Sequence, residues 1–157
     1  MSYVVGVDLG TTSTVAAVCP AGGAARVVPL EGAAGAVPSA VYLGSDGAFL
    51  VGEAALRRAL SDPGHVVRDL TRRIGDATPV LVGRQPVAPD ELAARFLATL
   101  VDDVARREGG VAARVAVTHP ASFGPHRMGA LHAALAEHGL GSAMLEKSIS
   151  CPRSGIR

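Results

Sequence analysis

A chain of 157 residues, 48% hydrophobic and 18% charged, carries enough apolar mass for one buried core and excludes a disordered or fibrous chain. A formal net charge of +1, with three Phe, two Tyr and no Trp, leaves no basic, aromatic-laced surface for nucleic acid. Cys19 and Cys151 show neither metal-ligand spacing nor a disulfide framework, no apolar run is long enough to span a membrane, and no basic segment precedes an apolar one at the N-terminus; a cytoplasmic protein is expected.

The elements alternate. Tyr3–Asp8, Thr14–Cys19 and Arg26–Leu30 read as strands, with the Pro20–Ala24 stretch as the second turn. Ala40–Leu43 and Ala48–Val51 flank Asp46-Gly47, a hairpin signal. A short helix over Glu53–Leu60 is stopped by Ser-Asp-Pro-Gly, and Val80–Val82 with Gln85–Val87 forms a second small hairpin around Gly83-Arg84. The clearest helix runs from Pro89 to about Glu108: Pro suits the first helical position, Asp90 and Glu91 complement the helix dipole, and Gly109 stops it. Within it Leu92, Phe96, Leu100 and Val104 recur every four residues and define one buried stripe. Arg114–Thr118 is another strand, and a loop with Pro120 and Pro125 leads to a last helix ending near Gly139, on which Met128, Leu131 and Leu135 have core spacing. No repeat and no interdomain linker interrupts this order.

The stretch Val4–Val18, VVGVDLGTTSTVAAV, breaks two apolar strands with an Asp, a Gly and a run of hydroxyls. A plain hairpin turn accounts for this; so does a phosphate cradle. In the second reading Gly10 lets backbone N–H groups approach phosphate oxygens, Thr11, Thr12 and Ser13 add hydroxyl donors, and Asp8 holds magnesium through its water shell. A Walker-type loop is excluded, because no Gly-Lys-Ser/Thr is present and a strand follows the turn.

The full string Gly-Val-Asp-Leu-Gly-Thr-Thr-Ser resembles the first phosphate motif of the actin-like ATPase superfamily. Later stretches are similar to those of the DnaK-type heat-shock chaperones within it: AVPSAVYLGSDGAFLVGEAA (Ala36–Ala55), TRRIGD (Thr71–Asp76) and AVTHPASFGPHR (Ala116–Arg127), collinear from about Tyr3 to Leu140. The resemblance implies an α/β fold, one lobe of the actin-like (ribonuclease H-like) ATPase fold with a mixed sheet and packed helices. It implies ATP and magnesium as ligands, with Asp8, Gly10, Thr11, Thr12 and Ser13 at the phosphates. Residues 1–140 would form this lobe and residues 141–157 an atypical loop or disordered tail, since Pro152, Ser154 and Gly155 punctuate it.

Two departures from the family pattern shape the expected activity. Thr71 stands where these chaperones carry a phosphate-reaching lysine, and the chain's one lysine is Lys147. Arg72 and Arg73 carry charge nearby, but a guanidinium does not deprotonate and has a different reach; both read as helix-surface residues. The family's second lobe, with its further Gly-rich loop and adenosine pocket, has no counterpart in Gly141–Arg157. The expectation is therefore a truncated or degenerate ATP-binding lobe that does not hydrolyse ATP by itself and whose partners are a nucleotide and a second lobe or partner protein. The alternatives are a non-catalytic interaction module that keeps the fold and a lobe of a small-molecule kinase of the same superfamily.

Other residues read as structural. His126, His132 and His138 lie six apart, which spreads them around a helix. His119 is expected as a hydrogen-bonded loop histidine, Ser122 lacks an activating base, and Arg57-Arg58 and Arg106-Arg107 face solvent.

Overall fold

Alternation fixes the first strand. In the computed structural model, which describes residues 2–30 and 35–147, Tyr3–Leu9 (β1) buries Tyr3, Val5, Val7 and Leu9 on one face and exposes Val4 and Asp8 on the other. Ser13–Pro20 (β2) returns antiparallel, its last pair before the turn being Leu9 with Thr14. Arg26–Val27 (β3) and Val37–Pro38 (β4) add to β2. β3 is shorter than the expected Arg26–Leu30: the Val28 amide still bonds the Ala16 carbonyl, but Pro29 has no N–H to continue the ladder.

A second, three-stranded sheet stands beside the first. Ala40–Leu43 (β5) is its centre, paired with Phe49–Val51 (β6) and Val66–Arg68 (β7), both antiparallel. Helix α1 spans Gly52–Arg58, and the four-residue helix α2, Leu70–Arg73, follows β7. Val80–Val82 (β8) and Gln85–Val87 (β9) form the expected small hairpin.

Helix α3, Pro89–Glu108, supplies the core. Leu92, Phe96, Leu100 and Val104 are buried as their spacing predicts, and Gly109 closes the helix in the left-handed region at φ 78°. Each fully buried Leu or Phe stabilises by about 1.5–3 kcal/mol, so this stripe packs with the buried face of β1 in one apolar core. Arg114–His119 (β10) joins β1 in parallel, and Pro125–Glu137 (α4) carries the chain over to Met144–Lys147 (β11), parallel to β10. The main sheet thus runs β11-β10-β1-β2-β3, with β4 also on β2, and mixes both strand directions.

β11 corrects the expectation of a loop over residues 141–157 at Met144–Lys147. Its backbone completes the free edge of β10, which a segment of four residues does without an apolar period of its own. Residues 148–157, with Cys151, Pro152, Ser154 and Gly155, lie outside the described residues. The register also puts Val27, Ala17, Gly6, Ala116 and Met144 in one row across five strands on the face opposite the helices. There Val4, Val27 and Met144 keep 38%, 54% and 49% of their surface in solvent.

Candidate functional site

The β1–β2 turn is built around a close approach. A Cβ on Gly10 would sit inside the carbonyl oxygen of Ser13, nearer than two unbonded heavy atoms come, so only glycine fits. Two of the turn's carbonyls are held from behind by one residue. The Ser39 amide donates to the Thr12 carbonyl at 2.9 Å, and the Ser39 hydroxyl donates to the Gly10 carbonyl at 2.8 Å. Having spent its proton there, Ser39 Oγ accepts from the buried Thr14 hydroxyl at 2.9 Å.

With those carbonyls engaged, the Thr11 and Thr12 amides have no intramolecular acceptor among the described residues. Thr12 and Ser13 are exposed and Thr11 half-buried. Adjacent N–H groups left free in a tight turn form an anion-binding concavity. That geometry fits a phosphate.

Asp8 ends the exposed face of β1, where its Oδ1 accepts from the Thr118 hydroxyl of β10, its partner in register. One oxygen is thereby oriented and the other left to solvent, which suits a carboxylate that meets a hydrated cation. Thr71 is buried on α2, and its hydroxyl donates to that of Thr11 at 3.3 Å. The position opposite the turn therefore holds a neutral hydrogen bond and no charge. A cavity of about 450 Å³ adjoins the turn; Thr12, Ser13, Pro38, Ser39, Glu53, Leu56, Arg68 and Asp69 are among its lining residues.

The structure thus brings Asp8, Gly10, Thr11, Thr12, Ser13 and Thr71 to one end of the main sheet. Ser39, Thr118 and Arg68 belong to the same neighbourhood and escape sequence reasoning. For Ser39 a signal exists in the Val-Pro-Ser stretch, but nothing local says that its hydroxyl reaches back to Gly10.

The remaining candidates are structural. His119 is corrected from a loop residue to the last residue of β10: it is fully buried and stacked on Phe123, with ring centroids 5.4 Å apart. Its Nδ1–H donates to the Pro120 carbonyl at 3.0 Å, and its Nε2 has no partner among the described residues. His126 bonds the Gly75 carbonyl and His138 pairs with Glu91. Ser122 is exposed, as are Arg57, Arg58, Arg106 and Arg107. Among the described residues no group of three or more metal-ligating side chains occurs, and no helix is long and apolar enough to cross a membrane.

Away from the turn, Asp62 accepts from His65 Nδ1 at 2.6 Å and from the Tyr42 hydroxyl at 3.0 Å. The histidine hydrogen bond, supported by the tyrosine, holds the Asp62 carboxyl below its ordinary value, while the bond to Asp62 pushes the Tyr42 hydroxyl up. The Thr78 amide and Arg73 lower Asp76 in the same way.

The family model described as Hsp70 protein matches residues 4–85. The chaperone protein DnaK of Thermotoga petrophila is 32% identical over 121 residues, which cover 77% of this chain and 20% of that protein. The DnaK of Thermosipho melanesiensis is 33% identical over the same length and shares. The chain spans about a fifth of the length of these curated relatives. The mixed sheet with its packed helices agrees with the actin-like ATPase lobe of that family. The turn at Gly10 and the segment that carries Ser39, Arg68 and Thr71 all fall inside the matched residues, and the chain belongs to the Hsp70 family.

Proposed function

We propose that this chain is an ATP-binding lobe of a chaperone ATPase domain that holds magnesium-bound nucleotide phosphates on the Gly10–Ser13 turn and does not hydrolyse ATP by itself. One observation carries the reading: the turn needs glycine at position 10, has its Gly10 and Thr12 carbonyls tied back by Ser39, and leaves the Thr11 and Thr12 amides free. Amides held free side by side in a tight turn at the surface are open to an anion. The Thr11 and Thr12 amides with the Thr12 and Ser13 hydroxyls would bind phosphate oxygens, and Asp8 would meet the water shell of magnesium. The metal supplies neutralisation of phosphate charge. Lack of hydrolysis follows from Thr71, whose hydroxyl is engaged with Thr11 and brings no charge to a transferring phosphoryl group. The exposure of Asp8, Thr12 and Ser13 leaves phosphate contacts screened by water, so binding is weak unless a second lobe or partner protein covers the site. The reading places the protein in the cytoplasm, in keeping with its sparse cysteines.

Thermal melts with and without Mg-ATP, run beside a phosphate-release assay, test this. A ligand at a hundredfold excess over its dissociation constant stabilises a fold by about 2.7 kcal/mol. We expect millimolar Mg-ATP to give a much smaller rise, abolished in Asp8→Ala, with phosphate release at the blank. Turnover above the blank sinks the non-hydrolytic reading, and a rise that Asp8→Ala leaves intact removes the turn from the site. The half-exposed Val4, Val27 and Met144 favour a second reading, a non-catalytic interaction module, which gains if Mg-ATP has no effect at any concentration.

A further inference from the structure

With Thr71 neutral, a phosphate on the Gly10–Ser13 turn must find its positive charge elsewhere. Four arginines lie between β7 and β9. Arg73 is committed, its Nε to Asp76 and another guanidinium nitrogen to the Thr78 carbonyl, both at 3.1 Å. Arg84 lines a separate cavity with His65 and Pro86. Arg72 is exposed on α2 and does not line the cavity beside the turn. Arg68 is exposed too, but it lines the 450 Å³ cavity that the turn itself borders through Thr12 and Ser13.

Its position follows from strand register. Arg68 is the last residue of β7 and pairs with Ala40, the neighbour of the Ser39 that clasps the turn. Asp69 then takes a left-handed conformation, φ 53° and ψ 42°, and turns the chain into α2, which sets Thr71 against Thr11. Thr71 thus contacts the turn, and Arg68, three residues earlier, lines the cavity beside it. Among the described residues the Arg68 guanidinium makes no ion pair.

We propose that Arg68 is the phosphate-contacting cation of this lobe, and that the cavity it shares with Thr12 and Ser13 receives the oligophosphate end of a metal-bound nucleotide. The assignment rests on the nucleotide reading of the turn and adds the residue that supplies the charge. Glu53 and Asp69 also line the cavity, so its lining carries two carboxylates and one guanidinium. That balance disfavours a bare polyphosphate and favours one whose charge a divalent ion, met by Asp8 through its water shell, has reduced. A guanidinium holds phosphate oxygens through paired, charge-assisted hydrogen bonds.

The experiment measures equilibrium binding by calorimetry to the full chain and to Arg68→Gln, Arg68→Lys and Arg72→Gln, with Mg-ATP, Mg-tripolyphosphate and adenosine as probes. Arg68→Gln should weaken both phosphate probes about tenfold, the loss of one charge-assisted contact, and leave adenosine unaffected. Arg68→Lys should recover part of the loss, Arg72→Gln should bind like the wild type, and all three variants should melt with the ligand-free parent. Removal of magnesium should weaken ATP binding in the parent. Wild-type affinity in Arg68→Gln, or a loss confined to Arg72→Gln, overturns the assignment while the nucleotide reading stands. A parent that binds neither phosphate probe overturns both.

Discussion

Replacing Ser39 with alanine probes the device that shapes the turn. The Ser39 hydroxyl donates to the Gly10 carbonyl at 2.8 Å and accepts from Thr14 at 2.9 Å, and the Thr14 hydroxyl is fully buried with no other partner among the described residues. Ser39→Ala removes one ordinary hydrogen bond and strands a buried hydroxyl, a loss of about 2–3 kcal/mol together. For a chain of this size that lowers the melting temperature by roughly 5–10 °C. Thr14→Val removes the other partner and keeps the shape, so it should cost about 1 kcal/mol. In the double variant no buried hydroxyl is stranded, and the combined loss should fall short of the sum by about 1 kcal/mol. Urea unfolding of the four proteins closes the cycle. Both proteins that carry Ser39→Ala should also lose the Mg-ATP melting rise, because the Gly10 carbonyl is released in each. Losses that add to within about 0.3–0.5 kcal/mol would refute the coupling, and an unchanged nucleotide response in Ser39→Ala would refute the clasp.

Gly10→Ala should destabilise by about 1–3 kcal/mol, since the new methyl meets backbone at Ser13 that can yield only by reshaping the turn; a variant that melts with the parent and responds to Mg-ATP contradicts this. Acid should weaken the fold through Asp62. Its folded-state carboxyl lies below the ordinary 3.8, so the stabilisation is complete above that value and is lost as pH falls from about 4 through the folded value. Urea midpoints recorded against pH should decline less steeply over that window in Asp62→Asn, and parallel curves would place the acid sensitivity elsewhere. The apolar row on the open sheet face should drive self-association, visible by sedimentation as a mass that rises with concentration and is reduced by Met144→Lys; a monomer at all concentrations shows that face to be inert.

The sequence by itself determined whatever a few neighbouring residues can encode. Helix α3 is legible from end to end because the period of Leu92, Phe96, Leu100 and Val104, Pro89 at its start and Gly109 at its stop all act within a turn of helix. The first hairpin is legible for the same reason: β-branched alternation on both sides of Gly10 leaves the chain one way to fold back. The Asp-Leu-Gly-Thr-Thr string marked a tight, hydroxyl-rich turn, because the residues that shape it are contiguous. Tertiary structure alone decided what surrounds that turn. Ser39 meets Thr14 across 25 residues of chain, Thr71 meets Thr11 across 60 and Thr118 meets Asp8 across 110. No local pattern marks such partners, since a hydroxyl or a guanidinium in a short strand looks the same whether it faces solvent or a site. β7 and β11, three and four residues long, carry too few residues for a period to declare itself. They form because β5 and β10 present unpaired backbone edges, and hydrogen bonds across an edge depend on what the rest of the chain has already built.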